Sequence, residues 1–113
     1  SALVMNIIYQ LSSEKTTKLI DVIRSKATSS FLITFKLEVG KTEEELIETG
    51  WNSLKRHRAD LLVANDFLMM DDDHHVAFIV DPERRIIRVE NKGQLCDELA
   101  RLVANRSMEI GQN

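Results

Sequence analysis

The sequence has a single cysteine, Cys96, among its 113 residues. One cysteine excludes a disulfide within the chain. This fits a reducing compartment, so we expect a cytoplasmic protein. The position of Cys96 in an expected helix predicts a small core residue and not a nucleophile. No run of 18 apolar residues occurs, so no membrane-spanning helix is expected.

The chain also lacks an excess of basic residues. Its 15 Lys and Arg against 18 Asp and Glu give a formal net charge of −3 at pH 7. A general nucleic-acid-binding domain would normally be basic, so we expect no nucleic-acid partner. The first residues show no basic n-region or cleavage site of a signal peptide. They also lack an initiator Met, so we expect a piece of a longer protein.

Most short motifs of catalysis are missing from the sequence. It contains no G-x-G-x-x-G, no Walker sequence, no H-E-x-x-H, no cysteine pair and no G-x-S-x-G. The segment 71–75, DDDHH, has the residue types of a metal site. Five consecutive residues cannot all face one ion, so we predict a solvated acidic loop and no metal.

Apolar runs alternate with helical patterns along the chain. Strands are expected at 2–10, 30–38 and 59–66, and a helix follows each of the first two. Residues 67–75 are expected to be a loop, and the runs 75–81 and 84–90 flank a turn-like segment and predict a hairpin. A last apolar helical stripe precedes a predicted tail at 105–113. The order is β-α-β-α-β-β-β-α.

Strands that alternate with helices favour parallel pairing through right-handed crossovers. We therefore predict a single α/β domain over residues 1–113, with a three-layer, Rossmann-like, mostly parallel sheet and a C-terminal antiparallel hairpin. Thr42 and Glu45 have the spacing of a capping box at a helix start, and Asn91 and Gln94 repeat it. Gly50 inside a helix costs about 1 kcal/mol relative to Ala, which predicts a close packing contact there.

Polar residues end two of the strands that are expected to be parallel. FLITFKLE, residues 31–38, ends in Lys36 and Glu38, and ADLLVAND, residues 59–66, ends in Asn65 and Asp66. The carboxyl ends of parallel strands share one edge of the sheet, where open α/β sheets bind ligands. The alternative explanation is that charged residues end most strands simply because the loops that follow are exposed to solvent. The basic segment 55–58, KRHR, has two explanations. Its positive charges either interact favourably with the negative end of the helix dipole or contact an anion such as phosphate.

FLITFKLE before an acidic helix start, then ADLLVAND and HVAFIV, resemble the phosphopantothenate–cysteine ligase family, also called phosphopantothenoylcysteine synthetase, over roughly residues 3–104. The resemblance implies a ligase of coenzyme A biosynthesis. Such an enzyme activates 4'-phosphopantothenate with ATP or CTP, with Mg²⁺, and joins it to cysteine. The sequence does not decide between the two nucleotides.

Carried over residue by residue, the resemblance places Phe35 against the nucleotide base and Asn65 in contact with the nucleotide. An aromatic face can stack on a base, and a side-chain amide can both donate and accept hydrogen bonds. Lys36 fills a motif position and is a further nucleotide-binding candidate. Lys55 and His57 are candidates for contact with phosphate. No catalytic residue is identified.

The chain departs from the family pattern at several places. Val39 stands where many members have threonine, and Ser53 and His57 occupy helix positions that often hold lysine. The family's glycine-rich nucleotide segment and its phosphopantothenate-binding residues lie upstream of the match. We therefore expect a ligase portion that is inactive alone, with its N-terminal half in the same or another chain and a homodimeric state. The alternatives are a non-catalytic dimerisation or regulatory module and an unrelated α/β nucleotide binder.

Overall fold

Four strands and two helices make up the part of the chain that the computed structural model describes, residues 32–71 and 73–111, with side chains as far as Asn105. In chain order they are β1 (Ile33–Glu38), α1 (Glu43–His57), β2 (Leu61–Met70), β3 (His75–Val80), β4 (Ile86–Val89) and α2 (Lys92–Gly111). This series matches the last six elements of the predicted order. The strand predicted at 2–10 and the helix after it lie outside the described residues. The segment Leu32–Asn91 forms one compact unit, and α2 belongs to another.

The strands form one mixed sheet in the order β1-β2-β3-β4. β1 and β2 are parallel, whereas β2–β3 and β3–β4 are antiparallel. The predicted C-terminal hairpin is confirmed, but a mostly parallel sheet is wrong for these four strands. The reason is the short connection from β2 to β3, because a parallel neighbour would need a long crossover.

Helix α1 begins with the predicted capping box. The hydroxyl Oγ1 of Thr42 accepts from the Glu45 N–H at 3.1 Å, and Oε1 of Glu45 accepts from the Thr42 N–H at 3.1 Å. The hydrogen bonds to Thr42 hold the pKa of Glu45 below its usual value. The helix ends at His57 and is capped by Arg58, whose φ of 53° places it in the left-handed region. Local side-chain chemistry therefore fixes where α1 begins.

Helix α1 covers one face of the sheet through a shared apolar core. Its two central members from the helix are Leu46 and Leu54, which are 0% and 3% exposed. They cluster with residues of the strands and of the turn before β2: Ala59, Leu62, Ala64, Val76, Phe78 and Val80. The residues on the opposite face of the sheet are also buried: Ile33, Leu61, Val63, Ala77, Ile79 and Val89. Burial of both faces explains the continuous apolar run of β2.

Gly50 makes the close contact that its position predicts. A Cβ at this residue would lie 3.0 Å from Cδ2 of Leu62 and 3.2 Å from Cβ of Ala64. The absence of a side chain therefore lets α1 approach the middle of β2.

Two elements run further than their predicted ends. β2 continues to Met70, through the segment 67–70 that was predicted as loop. These residues are apolar, and they pair again with β3 at Met70 after an irregular stretch. Helix α2 continues to Gly111, so most of the predicted tail at 105–113 is helical. No Pro or Gly interrupts the segment 105–110.

Helix α2 has one buried face, which contains Cys96 together with other apolar residues: Leu95, Leu99 and Val103. The thiol of Cys96 is free and buried, as expected for a small core residue. Within residues 32–71 and 73–111, no helix is long and apolar enough to cross a membrane.

The cap provides a first test of these local determinants. Thr42→Ala removes the hydroxyl that accepts from Glu45, so we expect the free energy of unfolding to fall by about 1 kcal/mol. Urea denaturation followed by circular dichroism measures this change. Thr42→Ser keeps the hydroxyl and is the matched control. Equal stability of the Ala and Ser variants would contradict a capping role.

The close approach at Gly50 gives a second prediction. Gly50→Leu places a branched side chain against Leu62 and Ala64, so we expect a loss of about 1–3 kcal/mol from overpacking. Gly50→Ala is the control. Its gain in helix propensity, about 1 kcal/mol, offsets a smaller steric cost, so its urea midpoint should change little. A Leu variant as stable as the Ala variant would show that α1 does not pack this closely.

Candidate functional site

The carboxyl ends of β1 and β2 lie side by side, as the sequence predicts. Leu37 pairs with Asn65 and Glu38 pairs with Asp66 in the parallel register. We call this edge of the sheet, residues 35–40 and 65–68, the carboxyl rim. It is the position at which open α/β sheets bind ligands.

Phe35 and Asn65 share one face of the sheet at this rim. The pairing partner of Phe35 is Val63, two residues before Asn65. Alternate residues of a strand point to the same side, so the two side chains lie on the same side of neighbouring strands. Strand spacing and rise place their Cα atoms about 8 Å apart. Phe35 is half-buried, and Asn65 is 6% exposed. The structure therefore brings together the two main predicted nucleotide contacts.

Lys36 lies on the other face of the sheet. It is adjacent in sequence to Phe35, so its side chain points to the opposite side, toward α1. Its Nζ lies 3.5 Å from Oε1 of Glu38, two residues further along the same face. The two charges at the end of β1 thus pair with each other, and the structure does not bring Lys36 together with Phe35 and Asn65.

Lys55 and His57 lie at the opposite edge of the sheet from the carboxyl rim. Helix α1 starts beside the rim and runs back for 15 residues, a length of about 22 Å. Nζ of Lys55 lies 5.2 Å from the ring centroid of Trp51, and the guanidinium of Arg84 lies 5.4 Å from the same centroid. Arg84 also pairs with Glu48. The structure therefore separates the predicted phosphate contacts from the predicted base contacts.

Asp66 is a rim residue whose role the sequence did not reveal. Its side chain is fully buried. Oδ1 accepts the N–H groups of Gly40 at 3.1 Å and Leu68 at 2.9 Å, and Oδ2 accepts the N–H of Lys41 at 2.6 Å. The bond from Lys41, with those from Leu68 and Gly40, lowers the pKa of Asp66 against the opposing effect of burial. The ionised side chain of Asp66 therefore connects the loop after β1 with Leu68 of β2, and we call this set of three bonds the Asp66 clamp.

A bulge follows Asn65 in β2. Asn65 pairs with Ala77 and Met70 pairs with His75, so residues 66–69 of β2 stand opposite Val76 alone. The bond from the Leu68 N–H to Asp66 closes the start of this bulge, as in an Asx turn. Phe67 and Leu68 are 60% and 69% exposed there. Bulges of this kind redirect side chains near functional sites.

The bulge places two side chains against the amide of Asn65. Nδ2 of Asn65 lies 3.3 Å from Sδ of Met70 and 3.4 Å from Nε2 of His75. Both contacts are on the face that also carries Phe35. The sequence alone did not single out Met70 or His75 as neighbours of Asn65.

Asp71 follows β2 in the predicted acidic segment, and its carboxylate accepts hydrogen bonds from residues that lead into β3. Oδ1 of Asp71 accepts the N–H groups of Asp73 at 2.8 Å and His74 at 2.7 Å. It also contacts Nδ1 of His74 at 3.0 Å. The bonds from Asp73 and His74 hold the pKa of Asp71 below its usual value. Among the described residues, no group of three or more His, Cys, Asp or Glu is placed to hold a metal ion.

The fold and the rim define an α/β domain in which a parallel β-α-β unit carries an aromatic residue and a buried amide at its carboxyl edge. Residues 6–107 match the family described as the DNA/pantothenate metabolism flavoprotein C-terminal domain. The chain belongs to this family, and its resemblance to phosphopantothenate–cysteine ligases is confirmed.

Known relatives cover the chain well but are much longer. The coenzyme A biosynthesis bifunctional protein CoaBC of Thermococcus kodakarensis is 30% identical over 98 residues, which are 82% of this chain and 24% of that protein. The crystal structure of the DNA/pantothenate metabolism flavoprotein from Streptococcus pneumoniae gives a TM-score of 0.65 at 29% identity, over 77% of this chain and 38% of that one.

A further solved structure shares the fold. It is a Cab2 mutant in complex with phosphopantothenate-cysteine, with a TM-score of 0.56 at 20% identity, over 84% of this chain and 32% of that chain. The chain thus spans between about a quarter and two fifths of these relatives.

The Asp66 clamp predicts a stability that depends on pH. Asp66→Asn leaves one acceptor oxygen and turns an NH₂ group toward a backbone N–H, so we expect a lower urea midpoint at neutral pH. The folded pKa is lowered, so the contribution of Asp66 is complete above the unfolded pKa, about 3.9. It is lost as the pH falls through the folded pKa. The difference in urea midpoint between wild type and Asp66→Asn should therefore shrink below about pH 4.

Urea midpoints of both proteins across this pH range check the prediction. Asp73→Asn is the control, because the exposed Asp73 side chain makes none of the bonds of the clamp. A difference in urea midpoint that stays constant with pH would contradict the prediction. It would show that the negative charge of Asp66 does not contribute to its bonds with the three N–H groups.

Proposed function

We propose that this chain is part of a phosphopantothenate–cysteine ligase of coenzyme A biosynthesis and supplies part of its nucleotide site. In the proposed reaction, ATP or CTP activates the carboxylate of 4'-phosphopantothenate as an acyl-nucleotide with release of pyrophosphate. The amine of cysteine then forms the amide and releases the nucleoside monophosphate. Membership of the family and the CoaBC relative support this proposal.

The observation that carries the nucleotide role is the shared face of Phe35 and Asn65 at the carboxyl rim. A half-buried aromatic ring can stack on a base, and base–aromatic stacking contributes about 1–3 kcal/mol. The amide of Asn65 can bond to the edge of the same base. We leave Lys36, Lys55 and His57 out of the proposed contact set, because Lys36 faces the other side of the sheet and the other two lie on the last turn of α1.

The rest of the site would come from other segments of the ligase. The chain covers 24% of the CoaBC relative, so phosphopantothenate and cysteine would be bound mainly by an N-terminal half in the same or another chain. Mg²⁺ would arrive with the nucleotide, coordinated by its phosphates. A homodimer is part of the proposal, since edge strands can extend sheets between subunits.

A titration of the chain with ATP and CTP in the presence of Mg²⁺ tests the proposed base contact. We expect one or both to bind, and Phe35→Ala to weaken binding by about 1–3 kcal/mol, or about 5- to 150-fold in Kd. Isothermal titration calorimetry measures both proteins. Ile86→Ala is the control, because it truncates a partly exposed apolar residue on β4, away from the rim.

Binding that Phe35→Ala leaves unchanged would contradict the base contact. A chain that binds neither nucleotide would instead favour the non-catalytic dimerisation or regulatory module.

A further inference from the structure

The contact with Met70 fixes which end of the Asn65 amide is its nitrogen. The thioether sulfur of Met70 carries no proton, so it can only accept a hydrogen bond. It lies 3.3 Å from Nδ2 of Asn65. The opposite orientation would bring the carbonyl Oδ1 against sulfur lone pairs without a proton between them. The chemistry of the neighbour therefore requires the nitrogen end to face Met70.

His75 occupies the second position around the same nitrogen. Its Nε2 lies 3.4 Å from Nδ2 of Asn65. Nδ2 has two protons and no lone pair to offer, so Nε2 must accept. The neutral His75 ring then carries its proton on Nδ1. Two acceptors thus hold the two N–H groups of one amide.

The bulge and the burial of Asn65 make this arrangement specific. Met70 is five residues beyond Asn65, and it becomes a neighbour only because residues 66–69 are accommodated opposite Val76. Asn65 is 6% exposed, so rotation of its amide would break both bonds without water to replace them. With both N–H groups of Nδ2 engaged, the amide can meet a ligand only as an acceptor, through Oδ1.

We propose that Met70 and His75 are positioning residues that set base specificity through Asn65. By engaging its nitrogen they make Asn65 a hydrogen-bond acceptor toward the base, and this inference rests on the proposed nucleotide site. An acceptor oxygen selects a base edge that carries an exocyclic amino group over one that carries a keto oxygen at the same place. The keto analogue would leave the buried oxygen facing another oxygen.

The experiment compares amino and keto nucleotides that are otherwise alike. Calorimetry gives the Kd of the chain for ATP against ITP and for CTP against UTP. We expect wild type to prefer the amino member by about tenfold or more. In the double variant Met70→Leu, His75→Leu the amide is free to turn, so the ratio of the two Kd values should fall to within about twofold.

The His75→Gln variant and the ratio of the two Kd values distinguish a positioning role of Met70 and His75 from a general structural role. His75→Gln offers an amide oxygen to Nδ2, so it should retain most of the preference. A merely structural defect would weaken both members of a pair alike and leave their ratio unchanged. Phe35→Ala should likewise lower both affinities with little change in the ratio, because stacking does not read the base edge.

A second measurement needs no nucleotide. In ¹⁵N NMR spectra of the chain, the neutral His75 ring should show the proton on Nδ1 and an unprotonated Nε2. The side-chain NH₂ protons of Asn65 should exchange slowly in wild type and faster in the double variant. A neutral ring protonated on Nε2 would overturn the inference.

The binding outcomes can be told apart. Nucleotide binding without preference for the amino base, or a preference that the double variant keeps, overturns the inference and leaves the proposed function standing. Failure of wild type to bind any of the four nucleotides overturns both.

Discussion

The buried carboxylate of Asp66 is the constraint on which the carboxyl rim depends. It receives backbone N–H groups from Gly40 and Lys41 on one side and from Leu68 on the other. A carboxylate is suited to this task because its two oxygens offer about four acceptor positions and no donor. A buried charge is tolerable only when it is bonded in this way. One side chain thus ties the end of β1 to the bulge of β2.

The position of α1 follows from the same clamp. Lys41 precedes the cap residue Thr42, so fixing the Lys41 N–H to Asp66 sets the point at which the helix can start. The helix then approaches β2 closely at Gly50. At its far end, the N–H of Ala59 bonds to the carbonyl of Leu54, and the chain enters β2. The β-α-β unit is therefore held at both ends and in its middle.

Local patterns predicted much of this fold. The capping box, the close contact at Gly50 and the final hairpin each depend on residues near in sequence or on a single chemical property. The faces of Phe35 and Lys36 were also predictable, because neighbouring strand residues point to opposite sides. The place of Lys55 was predictable too, since a crossover helix runs back to the other edge of the sheet. The bulge was not predicted, because the carboxylate of Asp66 that accepts the Leu68 N–H there is also held by Gly40 and Lys41, about 25 positions away.

The bulge shows why residue type alone does not define a binding contact. An asparagine amide can donate or accept, so the presence of Asn65 in a motif leaves its role toward a base open. Its surroundings decide the role. The Asp66 clamp shapes the bulge, the bulge brings Met70 and His75 to one side of the amide, and two acceptors there occupy its nitrogen. The hydrogen-bonding character of the rim is thus set by residues that would not themselves touch the base.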